Sequence, residues 1–402
     1  MHSKIGRGDM GVGKVVESRG LAWDRASAWM VACCVAAAVT GCVGGNASVD
    51  DAPDESAAIG PDADGDGIPA RIDGALDLVL RRRHLSLKEH AAWQIIHGAL
   101  AFRRDFPVLL DGEREVSALE HVLRGGAMRG WEFEPGDVLD PATGHRGLRA
   151  VLAPGSKSGQ GHADQWLGYL AECGLEADDE IRVGDTTYHI SDIVAQAELD
   201  VPRNVDREYS WTLMGLTSYR PTDHEWVASD GKQWSIEDLV RIECEHDLAT
   251  SACGGTHRMY GLTMAFNRHL AQGRPVEGAW ATASDRIAES ARRAREFQNP
   301  DGSFSSHYFE RPGMAADITQ TLGSSGHVFE FLMMAMTDEE VRDPKMEQAA
   351  LRICGILERT RDLPLECGAL YHAAHGLVLY RTRRFGAPDF SHPIASVPDG
   401  KG

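Results

Sequence analysis

Cys253-Gly-Gly-Thr-His257-Arg-Met-Tyr-Gly-Leu262 and Ser325-Gly326-His327-Val-Phe-Glu-Phe-Leu332 share one arrangement: small residues, a histidine, then an apolar run. Gly161-His162-Ala-Asp-Gln-Trp166-Leu-Gly-Tyr-Leu170 repeats it, and Cys367-Gly-Ala-Leu-Tyr-His372-Ala-Ala-His375-Gly-Leu377 is a fourth copy. His97-Gly98-Ala-Leu100-Ala-Phe102 is a looser fifth, its histidine falling inside the helix. These segments are apolar on more than one helical face, so they are expected to be buried inner helices. Segments 283–297 and 338–359 are apolar along one stripe and are expected to lie outside them.

Working outward, inner helices are expected over 88–104, 162–171, 207–218, 253–271, 324–336 and 368–381. Outer helices are expected over 72–83, 117–124, 191–198, 236–249, 283–297 and 338–359. Strict alternation of outer and inner segments predicts an all-α fold, an (α/α)6 toroid with a ring inside a ring; an open solenoid is the competing arrangement. Small β-hairpin insertions are expected at Asp111-Gly112, Gly184-Asp185 and Asp230-Gly231, each a turn dipeptide beside a short extended run that leads into an amphipathic helix. Ser235-Ile-Glu-Asp238 resembles an acidic capping box at the start of one such helix.

Phe297-Gln298-Asn-Pro-Asp-Gly302-Ser-Phe304 resembles the QW turn of the terpenoid cyclase and protein prenyltransferase superfamily, which ties an outer helix to the next inner one with a Gln, a Gly and an aromatic. Phe304 stands where that motif usually has Trp. The resemblance implies the toroid. It implies no activity, because the cyclases' Asp-x-Asp-Asp and the prenyltransferases' zinc set are not recognisable, and fold does not carry function.

The chain before this body reads as an address. Lys4, Arg7, Lys14, Arg19 and Arg25 form a basic leader, and Ala26 to Val39 is an apolar run of signal-sequence length. Met10 is an alternative start. Val39-Thr40-Gly41-Cys42 resembles the bacterial lipobox, which implies a signal peptide over 1–42, diacylation of Cys42 and anchorage to a lipid membrane. Val43, rather than Asp, follows that cysteine, which in a diderm bacterium fits the outer membrane, with the body facing the periplasm or the exterior. An uncleaved N-terminal anchor is the alternative, and it too puts the body outside the cytoplasm. Gly8 to Lys14 imitates a phosphate-binding loop, but Val15 stands where the metal-binding hydroxyl belongs, so it is read as leader.

Residues 43–70 read as an acidic tether, 71–386 as the body and 387–402 as a disordered tail. Asp62, Asp64, Asp66 and Asp73, with Gly67 at the turn, have the alternate-residue spacing that wraps oxygens around Ca²⁺. An acidic linker with chance spacing is the other reading. At 402 residues, 43% hydrophobic and 25% charged, the chain has ample material for a core. A net charge of −19 argues against a nucleic-acid partner.

Brought to one mouth of a toroid, His162, His257, His327 and either His372 or His375 would form a ring able to bind a metal or move protons. The alternative is a repeated structural role at helix ends. Cys253 and Cys367 each precede a Gly at the start of an inner segment and, with His257 or His327, offer a Cys/Cys/His zinc set. Lanthionine synthetase cyclases are similar in using two Cys and one His, but their Trp-Cys and Cys-His-Gly contexts are missing. A transition metal is therefore not the expectation; a disulfide, such as Cys244 to Cys253, or buried thiols compete with it. Asp164, Glu225, Asp317 and Glu330 lie near expected helix ends, while Glu243, Glu245, His246 and Asp247 crowd one turn. For lack of a diagnostic catalytic motif, the expected function is a binding or scaffold lipoprotein with a His-lined mouth and an extracellular or periplasmic ligand. The alternative is an extracellular enzyme, glycan hydrolase- or lyase-like or metal-dependent, using His257 and His327. The two differ in one observable: an enzyme gathers histidines and carboxylates at a reachable pocket, whereas a scaffold buries them singly.

Overall fold

The computed structural model describes residues 67–82 and 84–390, and within them the chain is mostly helical with four small two-stranded sheets. Helices α2 (Ala92–Phe102), α4 (Gln165–Glu172), α6 (Ser210–Tyr219), α8 (Thr256–Ala271), α10 (Ile318–Ala335) and α12 (Cys367–Phe385) fall on the segments expected to be inner. Helices α1 (Gly67–Arg82), α3 (Ala118–Leu123), α5 (Ile190–Asp200), α7 (Ile236–Glu245), α9 (Gly278–Glu296) and α11 (Pro344–Arg359) alternate with them.

Side-chain pattern explains the two classes. Every residue of α10 from Ser324 to Met334 is buried, as is every residue of α12 from Cys367 to Leu377. In α9 only Trp280, Ala283, Ile287, Ser290 and Ala294 are buried, one stripe at helical spacing. Caps fix the starts. Asp317 accepts the Gln320 N–H at 2.7 Å and Glu366 that of Ala369 at 2.8 Å. Because Asp317 sets its start, α10 begins six residues before the expected 324, and His327 lies well inside the helix rather than near its end.

The even-numbered helices pack in sequence, α2 on α4, α4 on α6, α6 on α8, α8 on α10 and α10 on α12, and α12 packs back on α2. Glycines allow two of these approaches. A Cβ on Gly261 would stand 2.4 Å from the Ser210 carbonyl oxygen, and one on Gly326 would stand 2.7 Å from the Ala373 nitrogen. Helix α1 packs on α11 and α12, and Arg71 pairs with Glu358 at 3.2 Å, so the two ends of the described chain are joined.

Three hairpins lie where expected: β1 (Pro107–Leu109) with β2 (Glu115–Ser117), β5 (Glu180–Val183) with β6 (Thr186–His189), and β7 (Glu225–Val227) with β8 (Gln233–Ser235). Their turns use Gly112, Gly184 and Gly231, all at positive φ. A further hairpin, β3 (Phe133–Asp140) with β4 (His145–Ala150), was not expected; its turn is Pro141-Ala-Thr-Gly144, and irregular register breaks the alternation of its strands. The Ser235 cap forms in full: its Oγ accepts the Asp238 N–H at 3.1 Å and Asp238 accepts the Ser235 N–H at 3.0 Å.

At the turn after α9, the Gln298 amide donates to the carbonyls of Gly302 at 3.1 Å and Lys345 at 2.9 Å, and Phe304 is buried. Gln298 thus ties the end of α9 to the start of α11. Asp62, Asp64, Asp66 and Cys42 lie outside the described residues. Asp73 lies within α1, where both carboxylate oxygens accept from Arg381 at 2.9 Å. No helix of the described residues is long and apolar enough to cross a membrane.

Candidate functional site

Each even-numbered helix, or the residues just before it, sends a polar side chain to one place. His97 comes from α2, His162 from the approach to α4, Glu208 from the approach to α6, and His257 from the second position of α8. His327 and Glu330 come from α10, His372 and His375 from α12. The imidazoles form a continuous array, with ring centroids 5.1 Å apart for His162–His257, 5.5 Å for His257–His327, 4.0 Å for His327–His372 and 5.4 Å for His372–His97. Trp211 packs on His257 at 5.4 Å and on Tyr169 at 4.9 Å, walling one side.

Carboxylates and carbonyls fix the rings. Glu330 holds the Nδ1 atoms of His372 at 2.9 Å and His375 at 2.6 Å. Glu208 holds His162 Nδ1 at 2.9 Å with one oxygen, and its other oxygen lies 3.9 Å from His257 Nδ1. His327 Nδ1 meets the Gly323 carbonyl at 2.8 Å, the bond that a helical histidine makes to the turn behind it, and Nε2 is left for other work. His257 Nδ1 is buried and has no hydrogen-bond partner.

Cys253 completes the group. Its backbone is left-handed at φ 48°, followed by Gly254 at 61° and Gly255 at 80°, a turn that delivers the thiol to the head of α8. Only glycine fits at 254, since a Cβ there would stand 2.3 Å from the Tyr308 ring. A cysteine held left-handed costs about 1–3 kcal/mol, a strain that persists where surrounding structure over-determines it. One ligand atom each from Cys253, His257 and His327 lies within 4.8 Å of the others, and the same holds for His162, Glu208 and His257.

Electrostatics follow from this crowding. Burial pushes the Cys253 thiol up, but the adjacent His257 and His327 more than offset it and hold the thiol at about 4. Burial pulls His327 down, but the Cys253 charge and hydrogen bond raise it to about 9. Burial pushes Glu208 up, yet His162 brings it down to about 2; His162 is raised, Glu208 outweighing its burial. Glu330 is held far below the carboxylate range, His372 and His375 outweighing its burial. His372 and His97 are both lowered, chiefly by burial.

Two spaces adjoin the cluster. A cavity of about 10 Å³, near the size of one water, is lined by His257, His327, His372, Glu330, Trp211 and Tyr260. A cleft of about 250 Å³ has His162, Glu208, Asp164 and Arg149 on its walls.

Most of the candidates therefore meet, although Cys367 does not: it is buried at the head of α12, outside both groupings of possible ligand atoms. Cys244 and Cys253 remain thiols, so the disulfide weighed for them does not form. Among the carboxylates, Asp317 caps α10, Glu225 is an exposed strand residue, and Glu243 is fully buried against Arg258 at 2.6 Å. Glu208 was missed, although a signal existed. Of the six segments expected to be inner, only the one around α6 lacks a histidine, and Glu208 stands near its start. No known family model, curated protein or solved structure matches the chain.

Proposed function

We propose that the protein is an exported, lipid-anchored enzyme with an (α/α)6 toroid body and a transition-metal centre at Cys253, His257 and His327. The observation that carries this reading is the approach of the three ligand atoms to within 4.8 Å of one another. A thiolate and two imidazoles are a soft donor set suited to Zn²⁺, and three protein ligands leave the fourth tetrahedral position open, as catalytic zinc requires. This goes against the sequence expectation of a scaffold without a transition metal. A scaffold buries its histidines singly, whereas here they converge beside carboxylates at the head of a cleft.

The surrounding residues support the same reading. His327 has its Nδ1 committed to the Gly323 carbonyl, the arrangement that orients a metal-bound imidazole. A zinc ion would supply Lewis-acid polarisation and make a bound water acidic near neutrality. His372, its Nδ1 held by Glu330, lines the water-sized cavity and has its second nitrogen available to take a proton. The reaction class is hydrolytic water activation. The toroid reading is supported by the alternation of helices and by the return of α12 onto α2. The turn at Gln298, whose Phe304 N–H donates to the Ser325 hydroxyl of α10 at 3.0 Å, supports likeness to the terpenoid cyclase fold, and the Val39–Cys42 tetrapeptide supports anchorage through Cys42.

The test is thermal melting of the full chain before and after metal depletion. A ligand at 100 times its Kd stabilises by about 2.7 kcal/mol. Depletion is expected to lower Tm and zinc to restore it, with His327→Ala indifferent to both. An unchanged Tm in the wild-type chain overturns the reading.

A further inference from the structure

We infer that His257 is a bridging ligand and that His162 and Glu208 complete a second divalent-metal position on its other side. The inference rests on the metal centre proposed above and extends it. His257 belongs to both sets of converging ligand atoms, the one with Cys253 and His327 and the one with His162 and Glu208, and it is its Nδ1 that faces Glu208. An imidazole has two nitrogens on opposite edges, so it can serve two ions at once.

The second position has three marks of a site. His257 Nδ1 is buried without a hydrogen-bond partner, a state that normally demands an explanation such as an ion. The facing Glu208 oxygen is 3.9 Å from it, too far for a hydrogen bond but less than the sum of two metal–ligand bonds of about 2 Å each. The other Glu208 oxygen and His162 Nδ1 are 2.9 Å apart, a separation two adjacent ligands on one ion can adopt. His162 and Glu208 also line the cleft, which gives an ion and a substrate a path in.

The donor sets differ. The Cys253 side offers a thiolate; the Glu208 side offers two nitrogens and an oxygen, a harder set that accepts Zn²⁺, Co²⁺ or Mn²⁺. Occupying both sides turns His257 into an imidazolate, so binding of the second ion releases the His257 proton to solvent, in addition to any proton displaced from His162. The buried ion next to the thiolate then holds the bridge, and the ion next to Glu208 faces the substrate cleft.

Cobalt titration of the metal-depleted full chain reads the two positions separately, because only the Cys253 side gives a thiolate-to-cobalt absorption band. The wild-type chain is expected to bind two ions per chain. Glu208→Gln and His162→Asn are expected to bind one and keep the band, and Cys253→Ser to lose it; circular dichroism checks that each variant is folded. One ion in the wild-type chain, with the band present and unaffected by Glu208→Gln, overturns the bridge and leaves the first centre standing. No bound ion and no band overturn both.

Discussion

His162 Nδ1 and a Glu208 carboxylate oxygen meet at 2.9 Å although 46 residues separate them along the chain. They stand just before α4 and α6, so the contact measures how well the packing of these two helices is held. Glu208 is depressed to about 2, so its contribution to stability is full above its unfolded value of about 4.5 and is lost as pH falls through about 2. His162 is raised, so its contribution is full below about 6.5 and is lost as pH rises through its raised value. In metal-depleted protein, Glu208→Gln is expected to cost about 1–3 kcal/mol between about pH 4.5 and 6.5, and less on either side. Urea unfolding of both proteins across pH checks this; a difference independent of pH would count against the pair.

Asp164 works in the opposite sense. It has a left-handed backbone, its carboxylate accepts from the Thr212 hydroxyl at 2.6 Å, and burial raises it to about 6. The folded state therefore binds its proton more tightly, and the protein loses stability as pH rises from about 4 through about 6. Asp164→Asn keeps the hydroxyl bond and tolerates the left-handed backbone. It is expected to stabilise the chain by about 1–3 kcal/mol at pH 7.5 and by little at pH 4. Melting at the two pH values decides it.

Gly326→Ala tests the α10–α12 approach. The added methyl would meet the Ala373 backbone, so the helices must separate, at a cost of about 1–3 kcal/mol. The same movement parts His327 from His372, whose rings are 4.0 Å apart. Reduced metal affinity accompanying the loss of stability is the expected result, read by zinc competition with a chelating dye.

Arg258 and Glu243 hold the segment that carries Glu208. Glu243 accepts the Tyr209 N–H and an Arg258 N–H, each at 2.6 Å, and is fully buried. Arg258→Ala leaves that carboxylate without its main partner and is expected to cost about 3–5 kcal/mol; replacing both residues with Met is expected to cost much less. Denaturant midpoints of the single and double variants give the comparison.

The helical layout was legible because burial imposes a period. Segment 324–334, rich in apolar and small residues, is buried all round, and 283–294 along one stripe, as their sequence patterns indicate. The hairpins at Gly112, Gly184 and Gly231 were legible because a positive φ selects glycine. The β3–β4 hairpin was not, since the register shifts along its strands break the alternation and leave no period to read. In the site, the histidines were legible through their recurrence. Their partners were less so, because Glu208 and Glu330 are identified by what they face across the fold. Cys367 misled for the same reason: it shares the local Cys-Gly context of Cys253, but the left-handed turn that aims Cys253 at His257 and His327 is absent from the helical start of α12.

The central claim is the metal centre, and elemental analysis of the full chain, purified without chelator, tests it most directly. The account predicts at least one stoichiometric transition metal per chain, zinc foremost, with sharp loss in Cys253→Ala and His327→Ala variants that remain helical. A wild-type chain that carries no transition metal, and takes up none when zinc is supplied, would contradict it.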